Sequence, residues 1–411
     1  MAALTSLPSE TLVEILSLLS CPDLASTARV SNHFHLLSQP LLYTAPCLRR
    51  SPEMPNTRAT GSSLEIFLQT LLTPGRETLA SHVRTLHFEF ENISVEPGEE
   101  YWSGYTTPTE PHPITSDTPQ PQGRQLMILL DLLPRLQILH FSPPNYRPSF
   151  SRLLESAADE MTLPCGLNSL REVHCPPTDD SDGVRWHTLR VFLQLPQIRL
   201  IEVTCINRFR ISEIDRGRGA SSSTVTHLRF SHSAIPDWLL SNALLVPIAL
   251  THFSYSIVPS RGFLLSEFMA TLVPLRPSLQ YLHLDFGNMV LPSELQLPHN
   301  HASLREWPLL RTISCSLIPL LGGGPRDGSP RLMDVLPPSL QELEILWDYY
   351  WSFSDATDQI VEMLAEKRWA VPYLERLAVV AESGMAQGVL DNLVVACEAA
   401  GVSLVKDSFC W

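Results

Sequence analysis

Lysine is nearly missing from this 411-residue sequence. Lys367 and Lys406 are the only lysines among its 29 basic residues, and the other 27 are arginines. A GC-rich genome, which favours arginine codons, explains the bias without any function. In a functional interpretation the chain lacks lysine amines because a neighbouring enzyme would otherwise modify them. Whether that applies depends on which proteins the chain binds.

The eight cysteines form no metal-binding or redox pattern. No two are spaced as Cys-x-x-Cys, and none lies beside a histidine at zinc-finger spacing. We expect reduced, mostly buried thiols in a chain of this size. The cysteines are Cys21, Cys47, Cys165, Cys175, Cys205, Cys315, Cys397 and Cys410.

Common catalytic motifs are missing as well. The glycine-rich stretch at 321–326 lacks the Gly-Lys-Ser/Thr ending of a phosphate loop. The acidic stretch at 179–183 has Leu189 where a calcium loop needs its last carboxylate. There is no Gly-x-Ser-x-Gly and no His-Glu-x-x-His. We therefore expect no catalytic residue, no metal and no cofactor.

Charge and hydropathy argue against three further classes of protein. A formal net charge of −14 argues against a general binder of nucleic acid or anionic membranes, which needs a supply of cations. No basic residue precedes the first apolar stretch, so we expect no secretory signal. The longest apolar run, 239–250, is too short to span a bilayer. The expected location is the cytosol, the nucleus or both.

Residues 1–45 carry the pattern of three short amphipathic helices. The first follows Pro8, with Ser9 as its predicted N-cap. Its apolar residues recur at helical spacing: Leu12, Ile15, Leu16 and Leu19. Helices this short bury little of their own apolar surface, so the unit is expected to need a partner.

The second and third helices are placed by capping residues and prolines. Asp23 is predicted to cap the second helix after the break at Pro22. Ser31 or Asn32 is predicted to open the third helix, and Pro40 to end it.

These residues closely resemble the F-box family. The matching positions are Leu7-Pro8-x-Glu10, Ile15-Leu16-x-x-Leu19, Asp23-Leu24, Val30-Ser31 and Leu42-Tyr43. The resemblance implies a module that docks onto the Skp-family adaptor of a cullin-type ubiquitin ligase. It implies an adaptor-facing apolar surface formed by Leu7, Pro8, Ile15, Leu16 and Leu19, and it makes Asp23 and Val30 internal cap and core positions.

The chain departs from the family after Val30-Ser31. The family often has a basic residue and a tryptophan there, whereas this chain has Asn32, His33 and Phe34. Phe34 fits the aromatic slot, and the lost cation is expected to weaken the adaptor contact.

The rest of the chain repeats a short phrase, apolar-x-x-apolar-x-apolar. Its ten copies begin at residues 83, 136, 170, 198, 225, 250, 279, 310, 340 and 374. Between fourth positions the steps are 53, 34, 28, 27, 25, 29, 31, 30 and 34 residues. Each copy alternates like a strand with one buried face, and most are separated by helical stretches such as 236–246, 265–273 and 355–369.

This pattern predicts an α/β fold with a three-helix F-box followed by a right-handed solenoid. Parallel strands would line its concave face and helices its convex face. Residues 80–405 resemble the irregular leucine-rich repeats, of the fungal type, that follow many F-boxes. The predicted domains are an F-box at 1–45, a linker and capping helix at 46–80, and a repeat domain at 81–411. A doubly wound α/β domain is the alternative.

The ninth position of each copy lacks the Asn or Cys that regular leucine-rich repeats use to satisfy turning backbone groups. Its absence predicts uneven curvature and backbone bonds made locally. The residues found there are Glu91, Pro144, Thr178, Ile206, Ser233 and Val258.

The fifth position of each copy is predicted to face the concave side and to contact a target protein. A stripe rich in histidine and mixed charge suits a protein or peptide carrying both charges, although solvated strand faces would look the same. Metal binding is not expected, because the histidines alternate with other residue types. The candidates are His87, His140, His174, Glu202, Arg229, His283 and Glu344.

The first, long step contains an acidic, proline-rich insertion at 91–123 without Lys or Arg. Such a stretch cannot bury enough apolar area to fold alone, which favours a flexible loop. Alternatively, its aromatic and carboxylate side chains contact a basic partner.

Two classes of function remain open. In the first, the chain is a substrate receptor whose F-box binds the adaptor while its repeats hold a protein for ubiquitin transfer. In the second, the F-box binds the adaptor outside any ligase and the repeats serve as a scaffold. A third option is a degenerate F-box that only caps the solenoid.

The lysine shortage yields a prediction under the first class. A ligase subunit beside the ubiquitin-transfer site is expected to avoid self-modification by lacking acceptor amines. Lysines added on exposed helix faces should then shorten the lifetime of the protein in cells, measured by chase after translation is blocked. An unchanged half-life would contradict this interpretation.

Overall fold

The computed structural model describes residues 7–48, 63–89, 121–142, 149–160, 162–176, 184, 186–204, 223–233, 235–257, 265–286, 303–322, 330–347, 351–380 and 387–405. The chain divides into two compact units. The first comprises Met1–Val191 and Leu195–Gln197, and the second comprises Phe192–Gln194 and Ile198–Trp411. The predicted insertion lies outside the described residues except for 121–123.

The first unit opens with three helices: α1 (Ser9–Ser17), α2 (Cys21–Ala28) and α3 (Asn32–Thr44). The N-cap of α1 is Pro8 rather than the predicted Ser9. Ser20 caps α2: its Oγ lies 3.4 Å from the Asp23 amide and donates to the Asp23 carboxylate at 2.6 Å. Asp23 therefore lies one turn inside the helix, in a position that resembles a capping box, and does not cap α2 as predicted. Ser31 caps α3 as predicted, accepting from the Phe34 amide at 3.2 Å.

Two further details of this module differ from the prediction. The third helix continues through Pro40 to Thr44, because a proline removes one backbone donor while packing of α3 against α1 and α2 retains the rest of the helix. Val30, expected in the core, is 55% exposed. It follows the end of α2, whereas the core leucines Leu12, Leu16 and Leu24 lie within α1 and α2.

The remainder of the first unit alternates strands and helices. The strands are β1 (Cys47–Leu48), β2 (Thr85–Glu89), β3 (Ile138–Ser142) and β4 (Glu172–Cys175). They pair in chain order, each parallel to the next. The other elements are α4 (Ser63–Leu72), α5 (Glu77–Ala80), α6 (Pro121–Leu132), α7 (Ser149–Asp159), a 3-10 helix (Cys165–Ser169) and α8 (Trp186–Leu193), which crosses into the second unit. The predicted linker region, 46–80, thus includes a strand and two helices.

The second unit contains eight strands, again paired in parallel and in chain order. They are β5 (Leu200–Thr204), β6 (His227–Ser233), β7 (His252–Ile257), β8 (Tyr281–Asp285), β9 (Thr312–Cys315), β10 (Glu342–Leu346), β11 (Arg376–Val380) and β12 (Ser403–Val405). Its helices are α9 (Asp237–Leu245), α10 (Leu265–Leu272), a 3-10 helix (Val273–Leu275), α11 (Ile318–Leu321), α12 (Leu332–Val335), α13 (Phe353–Ala365), α14 (Lys367–Ala370) and α15 (Gln387–Ala400).

The repeated phrase defines the core. Its fourth position is at most 1% exposed in all ten copies. Successive strand residues point to opposite sides of a sheet, so the fourth and sixth positions pack inward while the third and fifth face the other way. The buried fourth positions are Leu86, Leu139, Val173, Ile201, Leu228, Phe253, Leu282, Ile313, Leu343 and Leu377.

A regular set of backbone bonds links eight of the ten copies of the phrase to the copy that follows. The carbonyl of the second residue accepts two amides from the following copy: Arg199 O binds the amides of Thr226 and His227, each at 2.9 Å. The same pair of bonds recurs at the carbonyls of Arg84, Gln137, Thr226, Thr251, Gln280, Arg311 and Gln341. The register of the strands is therefore fixed at the point where the chain enters each one.

Hydroxyl groups add to these links just before the strands. Thr224, Ser278 and Ser339 each donate to a carbonyl of the preceding copy, at Ile198 (2.7 Å), Leu250 (2.8 Å) and Leu310 (2.8 Å). Of the six ninth-position residues singled out above, only Ser233 is described. Its hydroxyl bonds locally to Ser231 O at 3.0 Å.

The structure has the predicted α/β composition, with N-terminal helices followed by parallel strands. A doubly wound domain reverses its strand order at a switch point. Within the eight strands of the second unit the order follows the chain without reversal.

Replacing Ser278 by alanine tests the hydroxyl links. Ser278→Ala leaves the Leu250 carbonyl without this donor, so the free energy of unfolding is expected to fall by about 1 kcal/mol in chemical denaturation. The control is Ser254→Ala, a half-buried serine of β7 whose hydroxyl donates to no described residue. Equal losses in the two variants would contradict the assigned role.

Candidate binding surfaces

The first candidate surface is an apolar stripe on α1. Ile15 and Leu18, three residues apart and so on neighbouring positions of the helix, are 41% and 86% exposed. Leu7, just before the helix, is 36% exposed. Large exposed apolar side chains grouped in a small module indicate a protein-binding surface.

The predicted adaptor-facing residues separate into two groups. Leu7, Pro8 and Ile15 are exposed and Leu19 is half-buried. Leu16 is only 3% exposed, because it lies one turn from Leu12 and shares the inner face of α1. In this structure Leu16 belongs to the core of the module and not to its outer surface.

Three exposed apolar residues were missed by the sequence reasoning. They are Leu18, Val30 and Leu36, which are 86%, 55% and 66% exposed. Leu18 could have been predicted, because it lies three residues after Ile15 and so on the same side of the helix. At the start of α3, Asn32 and His33 are exposed, and Phe34 is half-buried with its ring 6.1 Å from that of His33.

The second candidate surface is the polar face of β2, β3 and β4 in the first unit. His87, His140 and His174 occupy equivalent positions on these strands. Strands in register lie about 4.8 Å apart, so the rings stack, with centroids separated by 4.2 and 4.5 Å and planes tilted by 6° and 13°. Glu172 Oε2 lies 3.5 Å from His174 Nε2.

A second row of rings crosses the corresponding face of the second unit. His227, His252 and Tyr281 align on β6, β7 and β8, with ring centroids 4.0 and 5.6 Å apart. Threonine hydroxyls orient the two imidazoles: Thr226 Oγ1 lies 2.9 Å from His227 Nδ1, and Thr251 Oγ1 lies 2.9 Å from His252 Nδ1.

The fifth-position candidates of the second unit form a parallel row beside these rings. Arg229 pairs with Glu202 on the neighbouring strand at 3.1 Å. His283 Nδ1 lies 2.8 Å from Ser314 Oγ, and Glu344 follows on β10. In the row that contains His227, His252 and Tyr281, Arg376 on β11 pairs with Glu342 on β10 at 2.6 Å. The register therefore brings Glu202, Arg229, His283 and Glu344 onto one face.

Burial lowers the pKa of two imidazoles of this face. The pKa of His252 is lowered, first by burial and then by His227 and Arg229. Burial also lowers the pKa of His283 despite the nearby carboxylates of Asp285 and Glu344. Burial, and next the Glu344 carboxylate, raise the pKa of the Tyr281 phenol. Among the described strand residues of this face, the carboxylates of Glu202, Asp285, Glu342 and Glu344 outnumber the guanidiniums of Arg229 and Arg376.

The arrangement suits binding more than catalysis. Ser314, the hydroxyl beside His283, is only 1% exposed and so cannot meet a substrate as a nucleophile. Across the described stretches, no three His, Cys, Asp or Glu residues come together as a metal site. What the faces offer is stacked rings and paired charges on adjacent strands.

Comparison with known proteins adds one result for the N-terminal module. Residues 4–49 match the F-box-like family model, which spans α1, α2, α3 and β1 and confirms the F-box predicted there. F-box domains bind Skp-family adaptors and are typically non-catalytic components of the ligases that contain them. No curated protein matches the chain.

Among the helices of the described stretches, none has the length and apolar character needed to cross a bilayer.

The lowered pKa values of His252 and His283 predict how stability changes with pH. In the unfolded chain a histidine binds its proton near pH 6.5, more tightly than in the folded chain. These two histidines therefore contribute to the free energy of unfolding in full above about pH 6.5, and their contribution is lost as the pH drops below it.

Replacing His252 should make the free energy of unfolding depend less on pH. We expect His252→Gln to lose stability less steeply between pH 7 and pH 5 than wild type, measured by urea unfolding at each pH. His35→Gln, at an exposed position on α3, is the control and should keep the wild-type slope. A slope for His252→Gln that equals wild type would contradict the assignment.

Proposed function

We propose that the chain is the substrate-recognition subunit of an SCF-type ubiquitin ligase, acting in the cytosol, the nucleus or both. The observation that carries the proposal is the F-box-like match at residues 4–49. It is supported by the exposed apolar residues of the same module, because an adaptor would cover them. In this role the chain has no chemistry of its own and brings a target protein to the ligase.

In the proposed complex the F-box contacts the Skp-family adaptor, and through it a cullin. Leu7, Pro8 and Ile15, together with Leu18, would form the contact, with Leu19 at its edge. Leu16 would act indirectly, by holding α1 against the rest of the module. The missing cation at Asn32-His33 would make this contact weaker than in a typical family member.

The part that follows would be a right-handed solenoid of irregular leucine-rich-like repeats, with its polar face binding the target. The ten-fold phrase, the parallel strands in chain order and the recurring two-amide links support this proposal. The target-binding residues would be His87, His140 and His174 in the first unit, and Glu202, Arg229, His283 and Glu344 in the second.

The scarcity of lysine and the position of Lys367 also fit this proposal. Lys367, the one lysine within the described residues, is half-buried, and its Nζ donates to the Ala400 carbonyl at 3.1 Å. An amine held at the end of α15 is a poor acceptor for ubiquitin. Arginine elsewhere supplies positive charge without a reactive amine.

Truncating the exposed anchors tests the adaptor contact. Leu7→Ala and Ile15→Ala should each cost about 2 kcal/mol of binding free energy if they are interface anchors, which is about 30-fold in dissociation constant. The measurement is calorimetric titration of the purified chain with the adaptor. The control is Ile128→Ala on α6, whose side chain is also about half exposed (51%) and which should bind like wild type.

The outcomes distinguish the open alternatives. If neither truncation weakens binding, the adaptor does not cover α1 as proposed. Recovery of the adaptor without a cullin from cells would favour the scaffold function instead. A wild-type chain that binds no adaptor would leave only the degenerate, capping F-box.

A further inference from the structure

The row of rings on the second unit stops at Tyr281 although the row of strands continues. His227, His252 and Tyr281 stack one after another on β6, β7 and β8. The next position in register is Thr312 on β9, followed by Glu342 on β10. Tyr281 therefore has a ring on its β7 side and only a small side chain on its β9 side. We call this position the Thr312 gap.

The Thr312 gap has defined walls. Tyr281 forms one side, and the carboxylates of Glu342 and Glu344 on β10 form the other. Strands in register are about 4.8 Å apart, so β8 and β10 are separated by about 9.6 Å, enough for one flat group between ring and carboxylate. On the side of the fifth-position row the gap is bordered by His283, which is hydrogen-bonded to Ser314 at 2.8 Å, and by Glu344, which lies opposite Ser314 on β10.

The charges around the gap select a cation. Both arginines of this face are already paired, Arg229 with Glu202 and Arg376 with Glu342. Glu344 makes no ion pair with any described residue. Burial, then the Glu344 carboxylate and less strongly the Glu342 carboxylate raise the pKa of the Tyr281 phenol, while the Arg229 guanidinium opposes them. The gap thus joins an aromatic face to a carboxylate, Glu344, that forms none of the ion pairs between described residues.

The shape of the gap selects arginine among cations. A guanidinium is planar, stacks on aromatic rings and donates sideways to carboxylates, whereas an ammonium is a compact, strongly hydrated charge. A guanidinium above Thr312 would extend the stack by one layer and would reach Glu344 with its edge. Lysine would satisfy the charge but not the stacking.

We propose that the Thr312 gap, formed by Tyr281, Thr312, Glu342 and Glu344, binds an arginine side chain of the protein that this face holds. The inference rests on the proposed function, in which the polar face of the second unit contacts the target. It adds to that function a chemical requirement: the target presents an exposed arginine in an extended segment, whose alternate side chains point toward the sheet.

The test uses three short peptides that differ in one residue. Each has the sequence Gly-Ser-X-Ser-Gly with blocked ends, and X is arginine, lysine or citrulline, the neutral counterpart of arginine. Binding to the full chain is followed by broadening and shift of the peptide NMR signals, which detects weak complexes. We expect the arginine peptide to bind more tightly than the lysine peptide, and the citrulline peptide least.

Variants locate the binding to the gap. Glu344→Gln and Tyr281→Leu should each weaken the arginine peptide about threefold, and the double variant about tenfold, as expected from one ion pair and one cation–π contact. Glu366→Gln is the matched control, since it removes the same charge from an exposed position after α13 and should bind like wild type. If Tyr281→Leu does not fold, Glu344→Gln still decides the question.

Several results would overturn the inference. Failure of the arginine peptide to bind wild type would do so, as would equal binding of arginine and lysine peptides. Unchanged binding by Glu344→Gln, or a loss as large in Glu366→Gln, would show only general attraction to an acidic protein. None of these results depends on the adaptor, so failure of the F-box to bind its partner is observed separately.

Discussion

Parallel pairing in register between successive strands is the constraint on which both units depend. In eight of the ten copies the second residue offers one carbonyl to two amides of the next copy, and these bonds fix where the following strand begins. Once the start is fixed, the fourth positions fall inside, where they are at most 1% exposed. The third and fifth positions then align across strands on the opposite face. The imidazole stacks, the Arg229–Glu202 pair and the Arg376–Glu342 pair all follow from that alignment.

The two candidate surfaces use different physical effects. The N-terminal module buries Leu12, Leu16 and Leu24 and leaves Ile15 and Leu18 exposed, so a partner there would gain chiefly from covering apolar area. The polar faces of the sheets offer stacked rings and charges that are mostly paired with each other. A partner there would be selected by complementarity, and in our proposal the Glu344 carboxylate at the Thr312 gap makes that selection specific.

Much of this organisation was predictable from the sequence, because it depends on short-range patterns. The spacing of the phrase located every one of its strands, and apolar spacing located three helices, although of the predicted caps only Ser31 was right. The errors arose where packing overrides local preference. Pro40 does not end α3, because contacts with α1 and α2 hold the helix beyond it. Leu16 points inward, because the side of α1 that packs on its neighbours is not encoded in α1 alone.

The finer features of the site depend on register, which a single sequence does not give. That His87 stacks on His140, or that Arg229 meets Glu202, requires knowing which residues lie opposite each other across neighbouring strands. The hydroxyl links from Thr224, Ser278 and Ser339 were likewise missed. Their position just before the phrase in several copies was the signal that would have revealed them.

The central claim is that the N-terminal module connects a target-binding repeat domain to a ubiquitin ligase. Affinity purification from cells tests it most directly, by comparing the intact chain with a form that lacks the predicted F-box, residues 1–45. We expect the intact chain to recover the adaptor and a cullin, and the shortened form to lose both while a bound target accumulates. Equal recovery of the adaptor by both forms would contradict it.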